Sequence, residues 1–410
     1  MLKLQVILGT LQRPHGPEGF RLKSQSVPNK PTPKTFALAL LLLIPRSPLR
    51  AEDSIAYKFE NYTEGGGRVG VQTQGVVASQ EIGPDMQFGL TLVTDAIAGA
   101  TPTGVPAPEG TQQVPLAHLS DHRKSWEADL SRQFDRVNTS VGISESREHD
   151  YVSNGVSLNT LTDFNQKNTT LLAGIAGHRD RVETFYDPQQ TYVNKEAFSA
   201  IIGVSQLLDP LTKVTLNLGW ARETGYLSDQ YKLVQQNVEL FPGEFFPLVF
   251  AENRPGEHNS GTAYLAINHA FPSVNGALEG SYRFYSDTYG VTANTGELRW
   301  LQKVGHSVTI APEVRYHEQG AAHFYYYDLA ATDIIPTTIP NPRGPAYSSD
   351  YRLSALDATT YGIKVTWNPG DRLQLDVAYD RYVERGRDGV TPQSAYPRAN
   401  VLTFGAKISW

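Results

Sequence analysis

From Ser54 onward the chain alternates apolar residues with small or polar ones, segment after segment. Period two is the spacing of a strand whose faces meet different environments. Met86, Phe88, Leu90 and Leu92 alternate with Gln87, Gly89 and Thr91. Val214, Leu216, Leu218 and Trp220 alternate with Lys213, Thr215, Asn217 and Gly219. The pattern returns at Val308, Ile310 and Val314, at Tyr361, Ile363, Val365 and Trp367, and at Leu373, Leu375, Val377 and Tyr379. In the final stretch Leu402, Phe404, Ala406, Ile408 and Trp410 share one face, and Thr403, Lys407 and Ser409 the other. Aromatic residues are expected at strand ends (Trp126, Trp220, Trp367, Tyr379, Trp410), where an interfacial girdle would place them.

Short turn-like links fall at 79–85, 134–136, 164–168, 207–212, 271–276, 301–306 and 368–371. Longer polar links fall at 95–122, 182–195, 225–260, 319–353 and 384–400, in strict alternation with the short ones. This predicts an all-β fold: a transmembrane antiparallel β-barrel of about sixteen strands, with fourteen the next even count. The short turns would be periplasmic, the long loops outside, and both termini periplasmic. A soluble sandwich or propeller would explain neither the alternation of link lengths nor the strand lengths, and no repeat of fixed period appears.

Composition agrees. Apolar residues make up 40% and charged residues 19%, while Gly (35) and Tyr (21) are abundant. A wall with one face in hydrocarbon and one in water needs that intermediate composition. A net charge of −6 gives no basic surplus for holding phosphates, so no nucleic-acid partner is expected. With no cysteine, disulfides, thiolate metal sites and a Cys nucleophile are excluded.

The first 51 residues read as a leader. Phe36–Ile44 is a short apolar h-region after Lys30 and Lys34, with cleavage expected after Ala51 and a start codon near Val27. It falls short of the ~20 residues a membrane helix needs, and no later run reaches that length. Residues 52–410 form one barrel domain.

The segment Thr94–Gly104 (TDAIAGATPTG) interrupts a clear strand with Gly99, Pro102, Thr103 and Gly104 among small residues. The chain is expected to leave the sheet here. It would either narrow the lumen, with Asp95 facing an inward arginine, or pack as a tight rim loop. With Ser54–Gln72 and Ser146–Thr170, this segment resembles the outer-membrane proteins grouped as domain-of-unknown-function 3570. An aromatic final residue, here Trp410 after Phe404, is also characteristic of bacterial outer-membrane barrels. The resemblance implies an exported barrel in the bacterial outer membrane. Its implied partners are outer-membrane lipids and the barrel-insertion machinery; it supplies no catalytic residues and no cofactor.

Candidate chemistry is sparse. Glu279 and Arg283, Glu297 and Arg299, and Glu313 and Arg315 pair opposite signs on inward faces, and Lys364 and Asp376 face the same way. They form either a pore wall that sets solute preference or a salt-bridge ladder that stiffens the barrel. Glu148 and Asp150 offer oxygen ligands for Ca²⁺, or make a solvated turn. The aromatic runs 241–250 and 323–328 are expected to pack loops together. His317-Glu318 lacks the second His of a zinc HExxH site, and no GxSxG elbow occurs, so no enzyme is expected. The expected function is a channel for small solutes or ions. The alternatives are a loop-plugged, non-conducting binding or assembly barrel and, behind it, an outer-membrane hydrolase.

Overall fold

The computed structural model describes residues 53–184 and 192–410. The leader, with its h-region and cleavage point, lies outside the described residues. Strands β1 (Ser54–Glu64), β2 (Gly70–Ile82), β3 (Met86–Pro102), β4 (Leu116–Phe134), β5 (Val137–Arg147) and β6 (Tyr151–Phe164) begin the wall. β7 (Thr169–Glu183), β8 (Tyr192–Asp209) and β9 (Thr212–Gly225) continue it. A separate hairpin follows, β10 (Leu233–Phe241) and β11 (Glu244–Ala251). The wall resumes with β12 (Glu257–Phe271), β13 (Gly276–Asp287), β14 (Thr292–Val304) and β15 (Val308–Gln319). β16 (Leu356–Trp367), β17 (Leu373–Gly386) and β18 (Arg398–Ser409) complete it.

Sixteen strands, all but β10 and β11, close into an antiparallel barrel. β1 seals the ring against β18, from Ser54 opposite Ser409 to Glu64 opposite Ala399. Closure removes the free edges that an open sheet would present. β9 pairs with β12 directly, so the β10–β11 hairpin is an insertion at one end of the wall.

The period-two pattern becomes the two faces of the wall. Val156, Ile202, Leu298 and Ile408 point outward and are more than half exposed, at 64%, 60%, 52% and 52%. Apolar area on that scale, continuous around a ring, is a surface for hydrocarbon. Phe404 belongs to the same band at 44%, while its neighbour Thr403 faces inward and is buried. Trp410 donates its backbone N–H to Asp53 O beside the seam (3.0 Å).

All seven expected short turns are present, at 83–85, 135–136, 165–168, 210–211, 272–275, 305–307 and 368–372. Asp135 and Asn275 take the left-handed conformation these tight links need (φ 49° and 53°), which Asp and Asn tolerate best after Gly. The opposite, loop end is less regular than expected. Its links at 65–69, 148–150 and 288–291 are as short as the turns, so strict alternation does not hold. Their shortness makes room, because the longer loops fold over them. Trp126, Trp220 and Tyr379 stand ten, five and seven residues from the loop-end termini of β4, β9 and β17 rather than at strand ends. The strands run on past the aromatic girdle and form a collar.

The buried apolar clusters lie within that collar. Val234, Leu329 and Tyr347 form one; Tyr289, Val291, Ala322 and Phe324 a second; Val114, Tyr351, Leu356, Ala395 and Tyr396 a third. The loops supply most of these residues. This barrel keeps its core in its mouth.

Candidate functional site

Three loops and the β10–β11 hairpin build the mouth. In barrel order, β9 and β3 are six strands apart, so a contact between their ends crosses the opening as a chord. Lys232 makes that crossing. It is fully buried and its Nζ donates to Pro102 O at the end of β3 (2.6 Å). Leu233 N donates to Thr103 O (2.9 Å), and Gln230 Nε2 donates to Asp150 in the β5–β6 link (2.7 Å). The 320–355 loop meets the hairpin from the other side, through Leu329 N to Gln235 O and a reciprocal pair between Asn253 and Tyr347. Tyr327 OH accepts from Ala107 N in the 103–115 loop (2.7 Å), and Ser354 bonds Tyr396 of the 387–397 loop (2.7 Å).

At the centre lie six charged side chains. Asp350 is 1% exposed and holds Arg254 Nη2 and Arg352 Nε, each at 2.8 Å. Arg352 Nη2 also reaches Asp229 Oδ2 (2.6 Å), and Arg254 Nε lies 2.6 Å from Glu252 Oε1. Asp229 N and Ser348 Oγ donate to the Glu252 carboxyl, which has no exposed surface. Three acids face three bases, so the network is neutral in sum. Burial alone would push Asp350 and Asp229 up, but Arg352, Lys232 and Arg254 outweigh it and hold both carboxyls below their ordinary range. At Glu252 burial wins over Arg254 and the pKa is raised. Burial likewise lowers Lys232. Charges this deep persist only when paired, and removing one partner leaves another bare.

The TDAIAGATPTG segment does not leave the sheet after Thr94; β3 runs through it to Pro102, opposite Leu116. Small residues here serve close approach within the wall, not escape from it. A Cβ on Gly99 (φ 133°) would sit 2.4 Å from Arg68 O, and one on Gly104 (φ 94°) 2.3 Å from Leu233 O. Asp95 does meet an inward arginine: Arg123 on β4, at 2.5 Å, with Thr73 Oγ1 donating from β2 (2.7 Å).

Inside the barrel, the eight charges named from the sequence alternate with outward apolar residues, and six of them pair, mostly across strands. Arg299 lies 3.2 Å from Glu279, 3.2 Å from Glu297 and 2.6 Å from Glu313. Lys364 bridges Asp376 at 3.4 Å. Arg283 instead rests over the Tyr264 ring (5.7 Å). Among the described residues neither it nor Arg315 has a carboxylate within 4.0 Å. Arg299 thus holds three carboxylates together. Replacing it by Met should lower the melting temperature by roughly 3–5 °C in detergent, read by circular dichroism. An unchanged melt would show that the carboxylates do not depend on it.

Glu148 and Asp150 gain a third acid, Asp121, and their ligand oxygens lie within 4.8 Å of one another. The set has the oxygen chemistry of a Ca²⁺ site, but Asp150 already accepts from Gln230 and Tyr231 and so anchors the mouth. Of the aromatic runs, Phe324 is buried as expected, whereas the 241–250 run forms the hairpin tip and leaves Phe241 and Phe245 each 62% exposed.

Sequence reasoning did not single out Asp229, Lys232, Glu252, Arg254, Asp350 or Arg352. A usable signal was present: acid and base two residues apart, Glu252 with Arg254 and Asp350 with Arg352, each beside an apolar loop segment.

Residues 35–396 match the family described as "Protein of unknown function (DUF3570)". The chain belongs to that family. No curated protein matches this DUF3570 chain. Solved structures similar to it include a ferric enterobactin receptor (PfeA) variant from Pseudomonas aeruginosa, at 10% identity and TM-score 0.43, covering 88% of this chain and 60% of that one. The CymD monoaromatic hydrocarbon channel gives 12% identity and TM-score 0.40, with 88% and 89% covered. A loop-deleted OmpT, an outer membrane protein of Vibrio cholerae, gives 8% identity and TM-score 0.44, with 88% and 98% covered. The DUF3570 chain thus spans about three fifths of the length of the enterobactin receptor it matches.

Proposed function

We propose that this protein is a bacterial outer-membrane channel for small polar solutes whose loops hold the outer mouth shut. The outward apolar band supports an outer-membrane location, with lipids and the barrel-insertion machinery as partners. A sixteen-strand ring is wide enough for an aqueous lumen, and this one is lined by Ser, Thr, Asn and paired charges. The observation that carries closure is the six-charge network, with Lys232 and Glu252 fully buried, tying loops from opposite sides of the ring. The residues named have roles in binding and closure, and the reading includes no catalysis.

Planar-bilayer recording of refolded protein tests it. Wild type should give little steady conductance, and Asp229→Ala with Arg352→Ala should raise it at least tenfold. Steady conductance of the wild type would remove the shut mouth. Silence of both proteins, with heat-modifiable mobility showing folded barrels, would favour a plugged binding barrel instead.

A further inference from the structure

The eight lumen charges read from the sequence are four acids and four bases, but they do not balance in position. Glu279, Glu297 and Glu313 converge on a single guanidinium, Arg299. A fourth carboxyl joins them across Gly362. A Cβ placed there would lie 2.2 Å from Asp380 Oδ1 and 2.7 Å from Glu313 Cγ, so both side chains lean over the one position without a side chain. The register puts Glu279, Arg299, Glu313, Gly362 and Asp380 in one row across five strands. This row carries a surplus of negative charge.

The positive surplus sits toward the loop end. Arg283 stands four residues beyond Glu279 on β13, and Arg315 two beyond Glu313 on β15, on the same face. At about 3.3 Å per residue these offsets are about 13 Å and 7 Å. Arg283 is exposed to the lumen. The carboxylate opposite Arg315 in the register, Glu297, is taken by Arg299. A wall built only for stiffness would pair each base with its nearest acid. Here one base takes three acids and two bases keep their donors for something else.

We infer that this wall is a two-pole subsite for a zwitterionic solute of the short-peptide class. The solute's ammonium faces the Glu313–Asp380 row, and its carboxylate takes the Arg283 and Arg315 guanidiniums, which bind carboxylates in bidentate fashion. An extended chain spans about 3.3–3.6 Å per residue, so two to four residues match the separation of the poles. A plain anion would meet the acidic row, and a plain cation would leave the arginines unused. The inference rests on the polar-solute reading above and names the solute's class.

Binding to folded, detergent-solubilised protein tests it without any need for conduction, so a silent bilayer and a failed titration are separate results. The probes are tri-alanine, its N-acetylated form, its C-amidated form and the doubly blocked peptide, followed by calorimetry. Tri-alanine should bind saturably, and each single block should weaken it about tenfold, the value of one charge-assisted contact. Arg283→Ala with Arg315→Ala should abolish the penalty of amidation alone. Glu313→Gln with Asp380→Asn should abolish the penalty of acetylation alone. Equal binding of the free and doubly blocked peptides, a penalty from only one block, or no saturable binding of tri-alanine would overturn the inference.

Discussion

Asp350→Ala should release the mouth while leaving the wall standing. Loss of this carboxylate leaves Arg254 with Glu252 alone and Arg352 with Asp229 alone, two guanidiniums facing each other across the space it filled. Breaking one member of a buried ionic set costs about 3–5 kcal/mol. That penalty falls on the loops, because the sixteen-strand ladder does not include these residues. Limited trypsin digestion should cut the 320–355 loop of the variant and spare it in wild type, with the barrel's heat-modifiable mobility unchanged. A variant as resistant as wild type would show that apolar packing around Leu329 and Tyr347 holds the loops alone. Acid should act through the same groups. Asp350 and Asp229 have depressed pKa values, so their stabilisation is complete above the unfolded carboxyl value of about 3.9 and is lost as pH falls through the lower folded value. Glu252 is raised, so its contribution runs the other way, present at low pH and lost as pH rises through its folded value. Resistance to pepsin, which cuts in acid, should therefore survive down to about pH 4 and fail only below it.

The wall was legible and the mouth was not, for a physical reason. Each strand separates hydrocarbon from water, so the two environments impose period two on residues such as Val214 to Trp220. Tight links are also local, and their Gly, Asn and Asp residues announce them. The mouth depends on contacts between distant positions: Lys232 with Pro102, Arg254 with Asp350. No local period encodes such pairs. The β10–β11 hairpin escaped notice because Phe241, Phe245 and Phe246 near its tip are all exposed, so its faces do not alternate. In the lumen, the inward face of each charge was readable, but not which acid each base would choose. That choice depends on lateral register.

The collar connects these two parts. Strands β3 and β4 extend well beyond Trp126, and their buried residues there, Asp95, Thr101 and Leu119, face inward. Extra wall with a buried inner face would be of no use to an open pore. Filled by three loops, it supplies the buried area that a set of six internal charges requires. The charges on the lumen wall lie below that packed part. The barrel is thus divided along its axis, with the packed part at the loop end, where Lys232 is tied to Pro102 at the rim.

Gly99→Ala and Gly104→Ala should each cost about 3 kcal/mol or more, the second by unseating the hairpin. Both positions have positive φ, which an L side chain adopts at about 1–3 kcal/mol. Both also lack room, since the added carbon would lie 2.4 Å from Arg68 O or 2.3 Å from Leu233 O, and backbone cannot swing aside. At Gly104 the displaced group belongs to the residue that donates to Thr103 O, so the chord across the mouth breaks at its anchor. Gly66→Ala supplies the control: φ is also positive at 74°, yet nothing lies within 4 Å of the new carbon, so strain alone of about 1 kcal/mol is expected. Urea melts of the three variants should therefore rank Gly66→Ala well above the other two. Gly104→Ala should additionally expose the 226–256 loop to trypsin, as Asp350→Ala does in 320–355. If all three lost the same stability, close approach would have no part in the motif, and its glycines would serve backbone conformation alone.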